Sequence, residues 1–434
     1  MLTKIINEGV EKLKKMEDVL VVSHYDCDGL TSSAIISKAL KRRHIRFSLL
    51  ILKEINEESI KKISEYKIPI LFVDIGSNVM IREIDEEIII LDHHEPVNFS
   101  EKNITEINPE IFGIHELSSS GTCYLFANAI SKENKDMADL ALAGAVGDLM
   151  TQNSMFTGNN LKILKDAEEL GLIRVEKGMR VFGYNSRPIH KALELCFDPY
   201  IPNVSGSESG AVQFLSELGI KIRENEKFRC LRDLTDREKL KLHSAIIVNR
   251  LANNMKAPED IFGYNYFMTR YKLEIKEFAT IINAFGRLER YYDGIEFCLK
   301  PGKKNEEEVL NEYKSLLGKF ICWARDNLFI RDEICYILAK DNISPNFISP
   351  VATIYSSLVP QKILVGSAYD GDKVKFSIRN RTAINIQNII NEIADMLGGV
   401  GGGHREACGA TIPKSEEERF IKLLNKSIRK ALSG

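Results

Sequence analysis

The sequence predicts an α/β protein with a doubly wound, mostly parallel sheet at its N-terminus, a helical middle region and a smaller C-terminal α/β domain. Three observations predict it. Over the first 150 residues short apolar runs alternate with helix-periodic segments, the pattern of βα units. From about residue 161 to 328 the pattern is mostly helical, broken at Pro188, Pro199, Pro202 and Pro258. From about residue 330 strand-length apolar runs return. The expected domains are therefore 1–160, 161–328 and 329–434.

Taken in order, residues 1–16 alternate charged and apolar positions at helical spacing. Val19-Leu20-Val21-Val22, Ile70-Leu71-Phe72-Val73 and Ile88-Ile89-Ile90-Leu91 read as buried strands. Residues 30–43 and 57–66 read as helices, as does 123–130 behind the hydroxyl-rich entry Ser120-Gly121-Thr122. Residues 137–146 are apolar at nearly every position, so periodicity fits a buried helix or a strand. Residues 235–254 open with Thr235-Asp236-Arg237-Glu238, which has capping-box spacing. Strands are expected at 334–339, 351–355, 363–367 and 374–378. An amphipathic helix at 384–397, a glycine-rich run and a last helix at 416–431 follow.

Composition narrows the classes. The chain has 434 residues, 44% hydrophobic and 28% charged, ordinary for a globular protein of two or three domains. No run approaches the roughly 20 apolar residues of a membrane span. Residues 1–16 lack the apolar core of a signal peptide, so a cytoplasmic location without a membrane partner is expected. The eight cysteines are scattered without a Cys-x-x-Cys pair, against a structural zinc site or a disulfide framework. A net charge of −2 disfavours a passive nucleic-acid coat but leaves room for an enzyme with a local basic channel. Abundant Lys, Glu and Ile with scarce Gln fit a thermophile's composition.

The chemistry lies where the apolar runs end. The first leads into Ser23-His24-Tyr25-Asp26-Cys27-Asp28-Gly29, the second into Asp74, the third into Asp92-His93-His94, and 141–146, counted as strand-like, into Gly147-Asp148. In an open parallel sheet the carboxyl ends of the strands line one crevice. Aspartates gathered there with imidazoles suit two divalent metals and hydrolysis of a phosphate ester. Any one aspartate is equally well a helix N-cap, but caps do not require a consecutive pair of histidines. Alternation along the chain points Cys27 away from Asp26 and Asp28.

This order of motifs resembles the DHH phosphoesterase superfamily. The run Gly398-Gly399-Val400-Gly401-Gly402-Gly403-His404 resembles the glycine-rich motif of the DHH-associated C-terminal domain. Ser205-Gly206-Ser207-Glu208-Ser209-Gly210-Ala211-Val212-Gln213 and Asn283-Ala284-Phe285-Gly286-Arg287 are similar to segments of archaeal RecJ-like proteins. The resemblance implies two Mn2+ ions, with Mg2+ as the alternative. Asp74 would bridge them, Asp26 would serve one, and Asp28, His93 and Asp148 the other. The residues of the chemistry would be Asp74, Asp92, His93 and His94, acting through water activated by the metals. His94 would touch the substrate phosphate or orient the ligands, and Asp92 would hold an imidazole or approach a metal. Many members carry a histidine four residues before the first aspartate. Here that position is Val22, while His24 lies two before Asp26 and reads as a ligand, a substrate contact or a core residue.

Substrate contacts are expected from the C-terminal domain. Backbone amides at Gly401, Gly402 and Gly403 would cradle phosphate, with His404 and Arg405 beside them and the Arg379 guanidinium as a fork. The plainer reading of the run is a hinge or turn. Asn283 and Arg287 are substrate contacts by the resemblance. Arg223, Arg229, Arg232 and Arg290 read as solvated charges or nucleic-acid contacts, and Tyr291-Tyr292 as buried rings or a base-stacking pair. Residues 118–122 read as an anion site at a helix N-terminus or as a plain cap.

The expected protein is a two-lobed RecJ-like exonuclease that cleaves single-stranded DNA or RNA to nucleoside 5′-monophosphates, in DNA repair and replication or RNA turnover. Replication or repair proteins are expected partners. The alternatives are a phosphodiesterase of the same superfamily acting on short oligonucleotides, cyclic dinucleotides or bisphosphonucleotides, and a replisome scaffold. Relatives that became scaffolds have typically lost metal ligands, which this chain retains.

Overall fold

The computed structural model of the chain describes all residues except 153, 182, 185, 197–198, 256, 302–305, 332, 404 and 434. Among them the chain divides into two compact units, Met1–Val309 and Leu310–Gly434.

The first unit opens with α1 (Leu2–Leu13), β1 (Asp18–His24), α2 (Cys27–Arg42), β2 (Arg46–Leu52), α3 (Glu57–Ser64), β3 (Ile70–Val73), β4 (Ile88–Leu91), β5 (Ile104–Ile107), α4 (Ser119–Ile130) and α5 (Ala138–Gly147). The strands form one five-stranded sheet in the order β2-β1-β3-β4-β5, parallel throughout. Every residue of β3 and β4 is buried, which is why these strands read as unbroken apolar runs rather than alternating ones. Leu20, Val22, Ile70, Phe72, Ile88 and Ile90 pack with Ile60 and Ile63 of α3 on one face. On the other face, a Cβ at Gly9 of α1 would meet Ile107, Phe126 and Ile89. The sheet is thus doubly wound, and its strand order reverses between β1 and β3, the place where sheets of this kind bind ligands at the carboxyl ends of their strands.

The apolar run 141–146 is helical, not a strand, as part of α5. All its neighbours are protein, so it is buried all round and carries no face-specific pattern for the sequence to show. Gly144 sets its approach: a Cβ there would lie 2.1 Å from Ser120 Oγ, 2.3 Å from Asp28 Oδ1 and 2.6 Å from Thr31 Oγ1.

The unit continues with α6 (Gly158–Glu169), β6 (Ile173–Met179), α7 (Ile189–Glu194), α8 (Glu208–Glu217), β7 (Arg223–Glu224), β8 (Lys227–Phe228), α9 (Asp236–Ala252), β9 (Phe262–Met268), β10 (Leu273–Glu274), α10 (Ile275–Arg287), α11 (Tyr291–Leu299) and α12 (Glu306–Asn327), the last running on into the second unit. The α9 capping box forms as expected: Thr235 Oγ1 accepts from the Glu238 amide and Glu238 accepts from the Thr235 amide. The region is not purely helical, because β6, β9 and β10 form an antiparallel sheet ordered β10-β9-β6. Its signal is weak: charged residues interrupt β6, most of which is partly exposed.

The second unit holds β11 (Phe329–Arg331), β12 (Ile334–Leu338), α13 (Pro345–Leu358), β13 (Ile363–Asp370), β14 (Lys373–Asn380), α14 (Gln387–Met396), β15 (Val400–Gly403), β16 (Ala407–Pro413) and α15 (Glu417–Ser433). Its six-stranded mixed sheet runs β11-β12-β13-β14-β16-β15. Val365, Phe376, Ile378 and Ile412 from the sheet pack with Ile390, Phe420 and Leu424 from the helices. Residues 351–355, expected as a strand, lie inside α13. The buried positions Phe347, Ile348, Val351, Ala352 and Tyr355 recur at helical spacing, and Pro345 stands in the first turn. The β-branched run alone misled. The glycine run is neither hinge nor turn over 400–403, where it is the edge strand β15 paired with β16. A Cβ at Gly401 would lie 2.7 Å from Asn391 Oδ1 on α14.

Candidate metal centre

The reversal in strand order places the ends of β1 and β3 side by side, with β4 next to β3. His24 ends β1, and the chain turns at once into α2, with Asp26 as N-cap accepting from the Gly29 amide at 3.0 Å. The turn admits only glycine at its end: a Cβ at Gly29 would stand 2.3 Å from the His24 carbonyl. Asp28 therefore points inward from the first turn of α2 and is fully buried. Asp74 follows β3 with a left-handed backbone (φ 61°), Asp92 and His93 follow β4, and Asp148 follows α5.

These side chains converge. His93 Nε2 lies 3.1 Å from Asp148 Oδ2, 3.7 Å from Asp74 Oδ1 and 4.0 Å from Asp28 Oδ2. His24 Nδ1 lies 3.0 Å from Asp26 Oδ2 and 3.5 Å from Asp74 Oδ2. Ligand atoms fall within 4.8 Å of one another in three sets: His24, Asp26 and Asp74; Asp28, Asp74, His93 and Asp148; and Asp74, His93 and His94. Asp74 belongs to all three. Both its oxygens and both ring nitrogens of His93 are buried without a hydrogen-bond partner among the described residues. Groups left so are costly unless something binds them, and a donor set of carboxylate and imidazole fits a divalent cation.

The surroundings orient the set. The Ser119 and Ser120 amides at the start of α4 donate to Asp28 Oδ2 at 2.8 Å and Oδ1 at 3.1 Å. The anion expected at this helix end is thus the protein's own carboxylate, while Ser118 is the N-cap. Asp92 Oδ2 accepts from the Ser77 amide at 2.7 Å, and Oδ1 accepts from the His93 amide at 2.8 Å and meets His94 Nδ1, also at 2.8 Å. Asp92 thus holds the His94 ring, whose side chain is 44% exposed and faces solvent. Asn283 Oδ1 accepts from the Cys27 amide at 3.0 Å, so α10 braces the start of α2. Arg287 ends the same helix, half-buried, and Cys27 turns its thiol toward the Ala143 carbonyl of α5, away from the carboxylates. Sequence reading missed Ser77. Ser119 and Ser120 lie in the 118–122 run it singled out, and Gly144 opens the Gly-x-x-Gly-Asp pattern that ends at Asp148.

Electrostatics follow from crowding. Burial, then the Asp148 carboxylate, pushes Asp28 up to about 6. Burial, then Asp26 and Asp28, raises Asp74 well above the usual carboxylate range. Burial works against protonated His93, but Asp148, Asp28 and Asp74 raise it to about 10. Burial likewise opposes protonated His94 and His24. Asp92 raises the first to about 9, and Asp26 with Asp74 carries the second well above the imidazole range. Asp92 and Asp26 lie below the usual range despite burial, held there by His94 and by His24 respectively.

Of the substrate residues expected in the second unit, Arg379 stands on β14 and the glycines on β15, with β16 between them. Arg379 on β14 donates to Ser349 Oγ at 2.7 Å, Thr353 Oγ1 at 2.9 Å and Ser377 Oγ at 3.1 Å, so hydroxyls of α13 and β14 fix the fork. Gly401, Gly402 and Gly403 lie on β15, and Arg405 is exposed beyond them. His404 lies outside the described residues. Of the other arginines, Arg229 is bound to Glu238 at 2.7 Å, and Arg290 pairs with Asp293 at 3.0 Å. Tyr291 is half-buried and meets Tyr25 edge-on at 6.3 Å, whereas Tyr292 is exposed. Among the described residues no helix is long and apolar enough to cross a membrane.

Comparison with known proteins identifies the domains. Residues 18–145 match the N-terminal domain of the DHH family, 181–261 the DHH-CID domain and 332–430 the DHHA1 domain. An uncharacterised protein of Methanocaldococcus jannaschii is 32% identical over 99% of this chain and 97% of its own length. The single-stranded-DNA-specific exonuclease RecJ of Bacillus subtilis is 24% identical over 39% of this chain and 25% of its own. Among solved structures, CDC45 from Entamoeba histolytica aligns over 98% of both chains at 11% identity with a TM-score of 0.69. RecJ from Thermus thermophilus in complex with Mn2+ aligns over 98% of this chain and 55% of its own, at 16% identity and a TM-score of 0.61. Both likenesses are likenesses of fold.

Proposed function

Because the chain belongs to the DHH superfamily, carrying its DHH, DHH-CID and DHHA1 domains, we propose that it is a metal-dependent exonuclease that hydrolyses single-stranded DNA or RNA to nucleoside 5′-monophosphates. One observation carries the reading: the buried oxygens of Asp74 and ring nitrogens of His93, which make no hydrogen bond among the described residues, share one ligand cluster with Asp28 and Asp148. His24, Asp26 and Asp74 would hold one cation, and Asp28, Asp74, His93 and Asp148 a second. Two Mn2+ ions, or Mg2+ in their place, would supply Lewis acidity toward a phosphodiester and activate water.

The chain's own residues do the rest. The α4 amides fix Asp28 and leave its oxygens aimed at the cluster. Asp92 fixes the His94 ring, which faces solvent beside Asp74 and is placed to contact a phosphate oxygen with a protonated nitrogen. The amides of Gly401 to Gly403, with Arg405 and the braced Arg379 fork, would bind the substrate's phosphates. RecJ of Bacillus subtilis is a single-strand exonuclease, which supports a single strand as substrate.

A second reading has one observation in its favour. The CDC45 chain matches this one along its whole length, and a replication scaffold needs no hydrolysis. The complete carboxylate and imidazole set favours the enzyme, since a scaffold has no use for unpartnered buried ligands. The test is digestion of end-labelled DNA and RNA strands with Mn2+, with Mg2+ and with a chelator. Metal-dependent degradation, abolished in folded Asp74→Ala, is expected. Intact strands under every condition would favour the scaffold.

A further inference from the structure

Behind the His94 loop stands a side chain that no motif marks. Asn108 follows β5 and is fully buried. Its Nδ2 donates to the His94 carbonyl at 2.8 Å and to Ser77 Oγ at 3.2 Å, and its Oδ1 accepts from the Glu110 amide at 2.9 Å. Both amide hydrogens and the carbonyl oxygen are therefore used. Ser77 in turn gives its amide to Asp92 at 2.7 Å, and Asp92 holds the His94 ring. One side chain thus ties together the segments after β3, β4 and β5. It grips His94 from behind through the backbone, while Asp92 grips its ring from the side.

We propose that Asn108 is a positioning residue that sets where the His94 ring stands relative to Asp74. The inference rests on the reading of His94 as a phosphate contact. Two roles can be separated by chemistry. The Oδ1 bond is an ordinary N-cap of the turn Pro109–Phe112, which serine also supplies. The Nδ2 bonds are specific: serine is too short to reach His94, and aspartate, though isosteric, cannot donate. A buried carbonyl that loses its donor draws the loop toward another partner or water. Neither the cap nor the packing of β5 depends on that bond.

The test compares Asn108→Ser and Asn108→Asp with wild type, alone and in a His94→Ala background. It reads turnover on a labelled single strand, Mn2+ stoichiometry by calorimetry, and the ring signals of 13C-labelled histidine. The chain has eight histidines, and His94→Ala assigns the relevant signal. Both variants are expected to bind Mn2+ with wild-type stoichiometry, to move the His94 signal, and to lose turnover on the order of 10- to 100-fold. In the His94→Ala background the same changes should cost little more. Wild-type turnover with an unmoved His94 signal would overturn the proposal, as would an equal loss of turnover in the His94→Ala background, which marks a general structural defect. The ring signal decides without catalysis. An inactive wild type would refute the exonuclease reading, while a moved His94 signal would still support the brace.

Discussion

At the scale of single residues the site is built against its own stability. Asp74 combines a left-handed backbone, near-complete burial and two carboxylate neighbours, each unfavourable without a cation. Asp74→Asn keeps the shape and removes the carboxylate that would meet a cation. We expect it to stabilise the metal-free protein by about 1–2 kcal/mol, the size of a relieved buried polar group, while it weakens Mn2+ binding. Thermal melting in chelator checks this, and a lower melting temperature than wild type would contradict it. The pH dependence has a definite sign. Asp28, raised to about 6, and His93, raised to about 10, hold protons more tightly folded than unfolded. Their stabilisation is complete below the unfolded values and is lost as pH rises through the folded ones. Asp26 and Asp92 are depressed and act in the opposite sense, but only at pH below the ordinary carboxylate value. The metal-free protein should therefore lose stability from pH 5 to pH 8, while Mn2+ affinity rises because ligation expels those protons. Calorimetry in buffers of different ionisation heat measures the protons released. None released at pH 7 would exclude His93 as a ligand that arrives protonated.

At the scale of elements, close packing rather than loop chemistry holds the carboxylates in place. Glycine at 144 lets α5 come against Asp28 and Ser120, and the start of α4 then supplies the amides that Asp28 needs. Gly144→Ala inserts a methyl where 2.1 Å separates it from Ser120 Oγ. We expect a loss of about 1–3 kcal/mol, typical of overpacking, together with weaker Mn2+ binding. Chemical denaturation with a parallel metal titration would show it, and unchanged midpoint and affinity would contradict it. This scale also shows what the sequence reveals and hides. Runs buried on both faces, such as β3 and β4, announce themselves because nothing polar interrupts them. The same property hides α5, since a helix buried all round shows no stripe. Residues 351–355 read as a strand because Val351, Thr353 and Ile354 are β-branched, although the buried positions from Phe347 to Tyr355 recur at helical spacing. The sheet of β6, β9 and β10 went unread because its exposed positions carry charges that fit a helix surface equally well.

At the scale of the whole molecule, the strand-end residues were legible because a parallel sheet converts sequence position into spatial position. Each run ends at the same edge, so Asp26, Asp28, Asp74 and His93 meet without any contact being known beforehand. Asp148 reaches them from the end of a helix, although the run before it was counted as strand-like. His24 was ambiguous in sequence, yet its ring stands by Asp26 and Asp74. Ser77 and Asn108, behind the site, were not legible, since hydrogen bonds between successive strand ends follow no spacing rule. The central claim is that this assembly is a metal-dependent single-strand exonuclease. Its most direct measurement is chromatography of the products released from uniformly labelled single strands of increasing length, with Mn2+ and with chelator. Nucleoside 5′-monophosphates released from every length with Mn2+, and none with chelator, is the predicted result. Cleavage confined to the shortest strands, or no mononucleotide at any length, would contradict it.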